Sequence, residues 1–276
     1  MKLYSFCKQI GLSSHLTKII CQYEIEDDTK KHLLFLLNTN RQKFFTLIKK
    51  QRDEHLAALI IYTNLAAFLH TEFHRRGISD KIYFDTFSDI SIWSDEYFKK
   101  CQKPGLLDYE WVSYSLELRL FRLGRLQFEP SYTKELIKTD RGILPVGTPV
   151  LSIHIPSGES ITSELCDQSF KMAAQFFKDP FEGYLCDSWL LSPVLREFLP
   201  SDSNIILFQD RFTIYKVVHS FRQAEERVFG EILDDVSCYP ENTSLQRSLK
   251  NYLISGKEPG IGFGVILNKK DHLSIG

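Results

Sequence analysis

A chain of 276 residues is long enough for two domains of roughly 100 to 200 residues each, and its 43% hydrophobic and 25% charged content excludes a disordered chain. Thirty-four basic residues against 35 acidic ones leave a formal net charge of −1, so no overall field gathers nucleic acid or an anionic membrane. Any phosphate contact must be local. The six cysteines form no CxxC pair and no metal-type spacing, and they read as reduced thiols. The opening stretch MKLYSFCKQIGLSSHL lacks the apolar core of a signal peptide, and no uninterrupted apolar run of about 18 residues occurs, so the expectation is a cytoplasmic protein with no membrane partner.

From Met1 to about Gly105 the apolar spacing predicts helix after helix. Leu3, Phe6 and Ile10 mark a first helix that Gly11 ends, and Leu16, Ile19, Ile20 and Tyr23 mark a second capped by Ser13 or Ser14. A third starts at Asp27 and Asp28 and buries Leu33, Phe35, Leu36 and Leu37; a fourth presents Phe44, Phe45, Leu47 and Ile48. The longest runs from Asp53 to Arg76 and closes on His74-Arg75-Arg76 before Gly77, a basic last turn that suits the helix dipole. Another helical stretch covers Ser79 to about Lys100, and Lys103-Pro104-Gly105 breaks the pattern. The domain boundary is expected there, giving a helical domain over 1–105 and a mixed domain over 106–276. His70 and His74 stand at i,i+4, but no acidic third ligand is visible beside them, so no metal site is expected.

Beyond the boundary, Leu107 to about Glu117 is helix-like, and Phe121 to Glu129 (FRLGRLQFE) alternates as a single strand with a glycine inside it. Pro130 to Gly147 is a polar, hairpin-like connection. Pro149 to Ile155 is a short, β-branched, buried strand, ended by Pro156, Ser157 and Gly158. A helix follows from Thr162 or Ser163 to about Lys178, and Tyr184 to Leu191 is the next strand. Two strands joined by about 28 residues holding one helix make a parallel βαβ unit. The turn into that helix collects orphan backbone N–H groups, and Ser157, Gly158, Ser160 and Thr162 are small enough to let a phosphate approach; an ordinary capped βα turn has the same composition. Ser203 to Phe208 and Phe212 to Val218 read as two further strands, Thr243 to Ile254 as a helix, and Gly260 to Leu267 (GIGFGVIL) as a last strand in which glycine permits close approach. The second half is therefore α+β with an α/β core.

The segments GRLQFE (124–129), PVLSIHIPSGE (149–159), CDSWLLSP (186–193) and LPSDSNIILFQDRF (199–212) together resemble bacterial acyltransferase-domain proteins that join a helical N-terminal domain to a C-terminal domain like the GNAT superfamily of N-acetyltransferases. That resemblance implies an all-helical domain followed by a GNAT-like mixed sheet with packed helices. It also implies that the strands 149–155 and 184–191 splay apart and hold the pantetheine arm of an acyl-CoA, with the pyrophosphate at the turn 156–162. Ile153, Ile155, Ser157, Gly158, Ser160, Thr162 and Cys186 are then the cofactor-side residues, and acetyl-CoA or another acyl-CoA is the donor to an amine acceptor, with acetyl the expected acyl group. PSGESIT stands where the superfamily usually carries its pyrophosphate signature.

Acyl transfer to an amine needs a positioned thioester, an oxyanion donor and a group that takes the ammonium proton. His154 is the first choice for that last role, because it ends the central strand and histidine ordinarily titrates near neutral pH. Glu129 and Asp187 are the alternatives. The superfamily often supplies a tyrosine after the second splayed strand, and Pro193 to Leu199 holds none. A silent acyl-CoA-binding or protein-interaction module on the same scaffold is the competing reading, and a thiol hydrolase pairing Cys186 with His154 is a third.

Overall fold

The structure, a computed structural model, describes residues 1–268. It divides into two compact units, Met1–Gln127 and the chain from Phe128 onward. The first holds seven helices: α1 (Leu3–Gln9), α2 (Ser14–Gln22), α3 (Asp27–Thr39), α4 (Arg41–Lys49), α5 (Glu54–Arg75), α6 (Asp80–Cys101) and α7 (Tyr109–Leu116). Their starts are set by side chains that accept the first orphan N–H groups: Ser13 from Leu16, Asn40 from Lys43, Asp53 from Leu56 and Ser79 from Ile82. By length and composition α5 could cross a membrane. Its apolar residues instead make it the core helix of this unit, with Ala58, Leu59, Tyr62, Leu65, Ala66 and Phe73 all buried. Phe6, Phe73, Tyr83 and Phe87 lock α1, α5 and α6 together through ring pairs whose centroids lie 5.0 to 6.0 Å apart. Two expected core residues are outside it: Phe35 and Leu47 are exposed, because they fall on the outer side of the stripes that bury Leu36, Leu37, Phe44, Phe45 and Ile48.

The expected single strand over Phe121 to Glu129 is two. Gly124, at a φ of 74°, turns the chain, so that β1 is Phe121–Leu123 and β2 is Leu126–Tyr132. The sheet runs β1-β2-β5-β6-β8-β7, and β3 (Ile137–Thr139) with β4 (Gly142–Leu144) forms a separate antiparallel hairpin. In the second unit β5 (Pro149–His154) leads through α8 (Ser163–Phe176) to β6 (Gly183–Ser188), and these two strands are parallel. Phe170 on α8 packs edge-on against Phe128 of β2 and Tyr184 of β6, at 6.0 and 5.0 Å between centroids. This seats the helix on the sheet.

After Ser188 the chain leaves the sheet: Trp189–Leu191 and Pro193–Glu197 are 3-10 turns, so the strand expected over Tyr184 to Leu191 ends three residues early. The strand expected over Ser203 to Phe208 is instead a helix, α9 (Asn204–Gln209). Ser203 caps it by accepting from the Ile206 N–H, and Ile206, Phe208 and Gln209 are buried, a helical spacing that the contiguous apolar run concealed. β7 (Thr213–Val218), α10 (Gln223–Phe229), α11 (Ser244–Ile254) and β8 (Ile261–Leu267) complete the described chain. Thr243 and Gln246 close a reciprocal capping box on α11. Gly262 of β8 lies under the first 3-10 turn: a Cβ there would stand 2.1 Å from the Leu191 carbonyl oxygen, so only glycine lets that turn cross the sheet.

Candidate active site

β5 and β6 pair at Leu151↔Tyr184 and Ser152↔Leu185, and their pairing stops there although β5 continues to His154 and β6 to Ser188. On its other edge β6 stays paired with β8 along its whole length, from Gly183↔Leu267 to Ser188↔Gly262. The two parallel strands therefore part at their C-terminal ends. Glycines at 262 and 264 leave the room in which Leu191 and Phe212 pack onto β8.

His154 is the last residue of β5, at this opening, and Glu129 lies on β2, the neighbouring strand. The structure brings the two together: His154 Nε2 stands 3.8 Å from Glu129 Oε2, with side chains 26% and 13% exposed. Asp187 is not part of this arrangement, being exposed on β6. Of the expected cofactor-side residues, Ile153 is buried and Ile155 half-buried, whereas Ser157, Gly158 and Ser160 are exposed along the turn. Gly158 has a φ of +124°, a backbone conformation that a side chain would strain.

Thr162 caps α8 by accepting from the Leu165 N–H at 3.4 Å. Glu164 also occupies this end: hydrogen bonds from its own backbone N–H and from Thr162 hold its carboxyl below the usual carboxylate value. One cation missed in the sequence reaches the same turn. Arg211, between α9 and β7, donates from Nη2 to the Ser163 carbonyl at 3.0 Å and from Nη1 to Asp167 at 2.5 Å. Its Nε is buried and carries no hydrogen bond. The sequence signal was a lone arginine in the short polar break Gln209-Asp210-Arg211, which reads equally well as a turn.

Two thiols of this unit, Cys186 and Cys166, are packing groups. Burial pushes the Cys186 thiol well above its ordinary value, so it is protonated at neutral pH and the Cys186 nucleophile falls away. Cys166 is buried, with its Sγ 3.8 Å from the Ile161 carbonyl. In the helical unit, the view that His70 and His74 lack an acidic neighbour is corrected by Asp80, whose Oδ1 lies 2.8 Å from His70 Nε2.

Comparison with known proteins agrees with this architecture. Residues 1–118 match the N-acyltransferase N-terminal domain and residues 120–266 match the GNAT-like C-terminal domain. The chain belongs to the family that joins these two domains, and its fold is that of a GNAT-like acyltransferase. Among solved structures, an acyltransferase in complex with decanoyl-CoA and teicoplanin is similar with a TM-score of 0.75 and 21% identity, over 95% of this chain and 86% of that one. An acyltransferase mutant in complex with octanoyl-CoA gives 0.76 and 20% identity, over 96% and 87% of the two chains. A further acyltransferase complex with decanoyl-CoA gives 0.69 and 18%, over 98% and 100%. No curated protein sequence matches.

Proposed function

We propose that this protein is an acyl-CoA-dependent N-acyltransferase that moves a medium-chain acyl group, rather than acetyl, to an amine. The observation that carries the reading is the meeting of His154 and Glu129 beside the place where β5 and β6 stop pairing. In the proposed reaction the pantetheine arm lies in the opening, where the β6 edge from Cys186 to Ser188 is outside the β5 ladder. His154 takes the proton of the acceptor ammonium while Glu129 holds the resulting imidazolium. The free amine attacks the thioester carbonyl, the C–S bond breaks as the amide forms, and CoA leaves as a thiol. The pyrophosphate is placed at the first turn of α8, with Ser157, Ser160 and Thr162 on one side and Arg211 on the other.

The length of the acyl group is argued from the similar structures, which hold decanoyl- and octanoyl-CoA. The six free cysteines support a reducing, cytoplasmic location. The second reading, a binding module without turnover, is favoured by the stretch Pro193 to Leu199, which holds no tyrosine where the superfamily often supplies its general acid.

Release of CoA thiol, followed with decanoyl-, octanoyl- and acetyl-CoA against a panel of small amines, amino sugars and teicoplanin, separates the two. The expected result is turnover with the eight- and ten-carbon donors that exceeds turnover with acetyl-CoA. Thermal stabilisation by acyl-CoA without thiol release from any acceptor supports the binding module; no stabilisation by any thioester removes both readings.

A further inference from the structure

The last turns of α5 and the first residue of α6 bring three ligand-type atoms to one point in the helical unit. His70 Nε2 lies 2.8 Å from Asp80 Oδ1, His74 Nε2 lies 3.0 Å from the same oxygen, and the two Nε2 atoms are 3.1 Å apart. The local sequence explains the convergence. An i,i+4 pair stacks both imidazoles on one face of α5. The turn through Gly77, followed by the Ser79 cap, then starts α6 with Asp80 facing them. His70 is held from behind: its ring meets Tyr83 edge-on at 4.9 Å and stacks on Phe84 at 6.4 Å. Tyr83 is itself fixed, donating its hydroxyl to the Ala66 carbonyl at 2.7 Å. His74 and Asp80, 53% and 56% exposed, leave the point open to solvent.

Hydrogen bonds alone do not account for three mutual contacts. The carboxylate oxygen only accepts, and each neutral imidazole presents one Nε2, either as N–H or as a lone pair. If both nitrogens donate to Asp80, their hydrogens leave the N···N contact at 3.1 Å without an attraction. If His70 donates to both partners, His74 sets a lone pair against the carboxylate. Whichever tautomers are drawn, at most two of the three contacts are satisfied. A cation at the centre satisfies all three as donors to one Lewis acid.

We propose that His70, His74 and Asp80 bind a divalent transition-metal ion, zinc in the cell, which clamps the C-terminal end of α5 to the start of α6. Two imidazoles and a carboxylate are ligands suited to such an ion rather than to magnesium or calcium, which take oxygen ligands. Zinc bonds of about 2.0–2.2 Å in a tetrahedron set ligand atoms about 3.3–3.6 Å apart, so each contact opens by a few tenths of an ångström on binding. The exposed His74 and Asp80 side chains make that adjustment by rotating. Three protein ligands leave the fourth position to water.

The test uses the full chain, free of any affinity tag and stripped with chelator. Calorimetric titration with Zn²⁺ should find one ion per chain, and Co²⁺ should give the visible absorption of a four- or five-coordinate site. His74→Ala and Asp80→Asn, both at exposed positions, should each weaken Zn²⁺ binding at least about tenfold, since even loss of an outer-shell partner costs that much. Both should also abolish the rise in Tm that zinc produces in the parent. Circular dichroism of the metal-free variants shows that each is folded, and either variant alone carries the comparison. No saturable binding by the parent, or equal binding by parent and variants, overturns the proposal.

Discussion

His154→Gln keeps a hydrogen-bonding side chain at the end of β5 but removes the titrating ring. If His154 moves the acceptor proton, kcat should fall by about a hundred- to ten-thousand-fold, with the Kd for acyl-CoA unchanged, since general acid–base groups contribute that much to the chemical step. Glu129→Gln should lower kcat less, because Glu129 stabilises the imidazolium without receiving the proton. Equal losses in the two variants, or a changed acyl-CoA Kd in His154→Gln, would assign the pair to donor binding. Arg211→Ala should weaken CoA binding about ten- to a hundredfold, the worth of a charged hydrogen bond of about 1.5–3 kcal/mol, and Arg211→Lys should restore part of it. Isothermal titration with CoA measures both variants, and an unchanged Kd would put the pyrophosphate elsewhere. His154 and Glu129 were each legible in the sequence as candidates because both occupy strand positions in motif-bearing segments. Their 3.8 Å separation was not, since it depends on β2 and β5 lying side by side across a connection with its own hairpin. Asp187 looked equivalent to Glu129 by residue type, and only its exposure sets it apart.

Elements were legible where one local signal dominated. α5, α8 and α11 follow from periodicity with a Ser, Thr or Asp cap, and the structure shows each of these caps accepting a backbone N–H. The signal failed where two readings competed over a few residues. Asn204-Ile205-Ile206-Leu207-Phe208 has a strand's composition, and the helix is decided by Ser203 and by which side chains reach the core. In Phe121 to Glu129 the alternation across Gly124 was coincidental, because the glycine reverses the chain instead of bulging it. The GIGFG segment was read correctly as requiring close approach, and that makes a prediction about an element rather than a single contact. Gly262→Ala places a methyl group 2.1 Å from the Leu191 carbonyl, where backbone must move. Overpacking of this kind costs about 1–3 kcal/mol, which should lower Tm by several degrees in a chain of this size. It should also loosen the 3-10 turn after β6. A parent-like Tm in differential scanning calorimetry would mean that the turn does not rest on β8 in solution.

Stability of the whole molecule as a function of pH is set by groups of opposite behaviour. Hydrogen bonds from Arg75 and then Arg76 hold the Glu72 carboxyl at about 2, below its ordinary 4.5. Ser237 lowers Asp235 and Lys250 lowers Glu241 in the same direction. In the acid window the unfolded chain binds more protons than the folded one, so these contributions are complete above the ordinary carboxylate values and vanish as pH falls toward 2. At the other end, burial pushes Cys7 from 9.0 and Tyr215 from 10.0 up to about 12. There the folded chain keeps protons that the unfolded one loses, so stability is complete below 9.0 and falls as pH rises beyond it. Urea midpoints measured across this range should show a plateau between about pH 5 and pH 8.5 with a decline on each side. Salt distinguishes the causes. The acid decline rests on exposed ion pairs and hydrogen bonds, which ionic strength screens, so it should flatten between 0.05 and about 0.5 M salt. The alkaline decline rests mainly on desolvation of the buried Cys7 thiol and the half-buried Tyr215 phenol, which salt screens less, and it should keep more of its shape. An alkaline limb that flattened with salt as the acid limb does would mean that Cys7 and Tyr215 meet solvent before the chain unfolds.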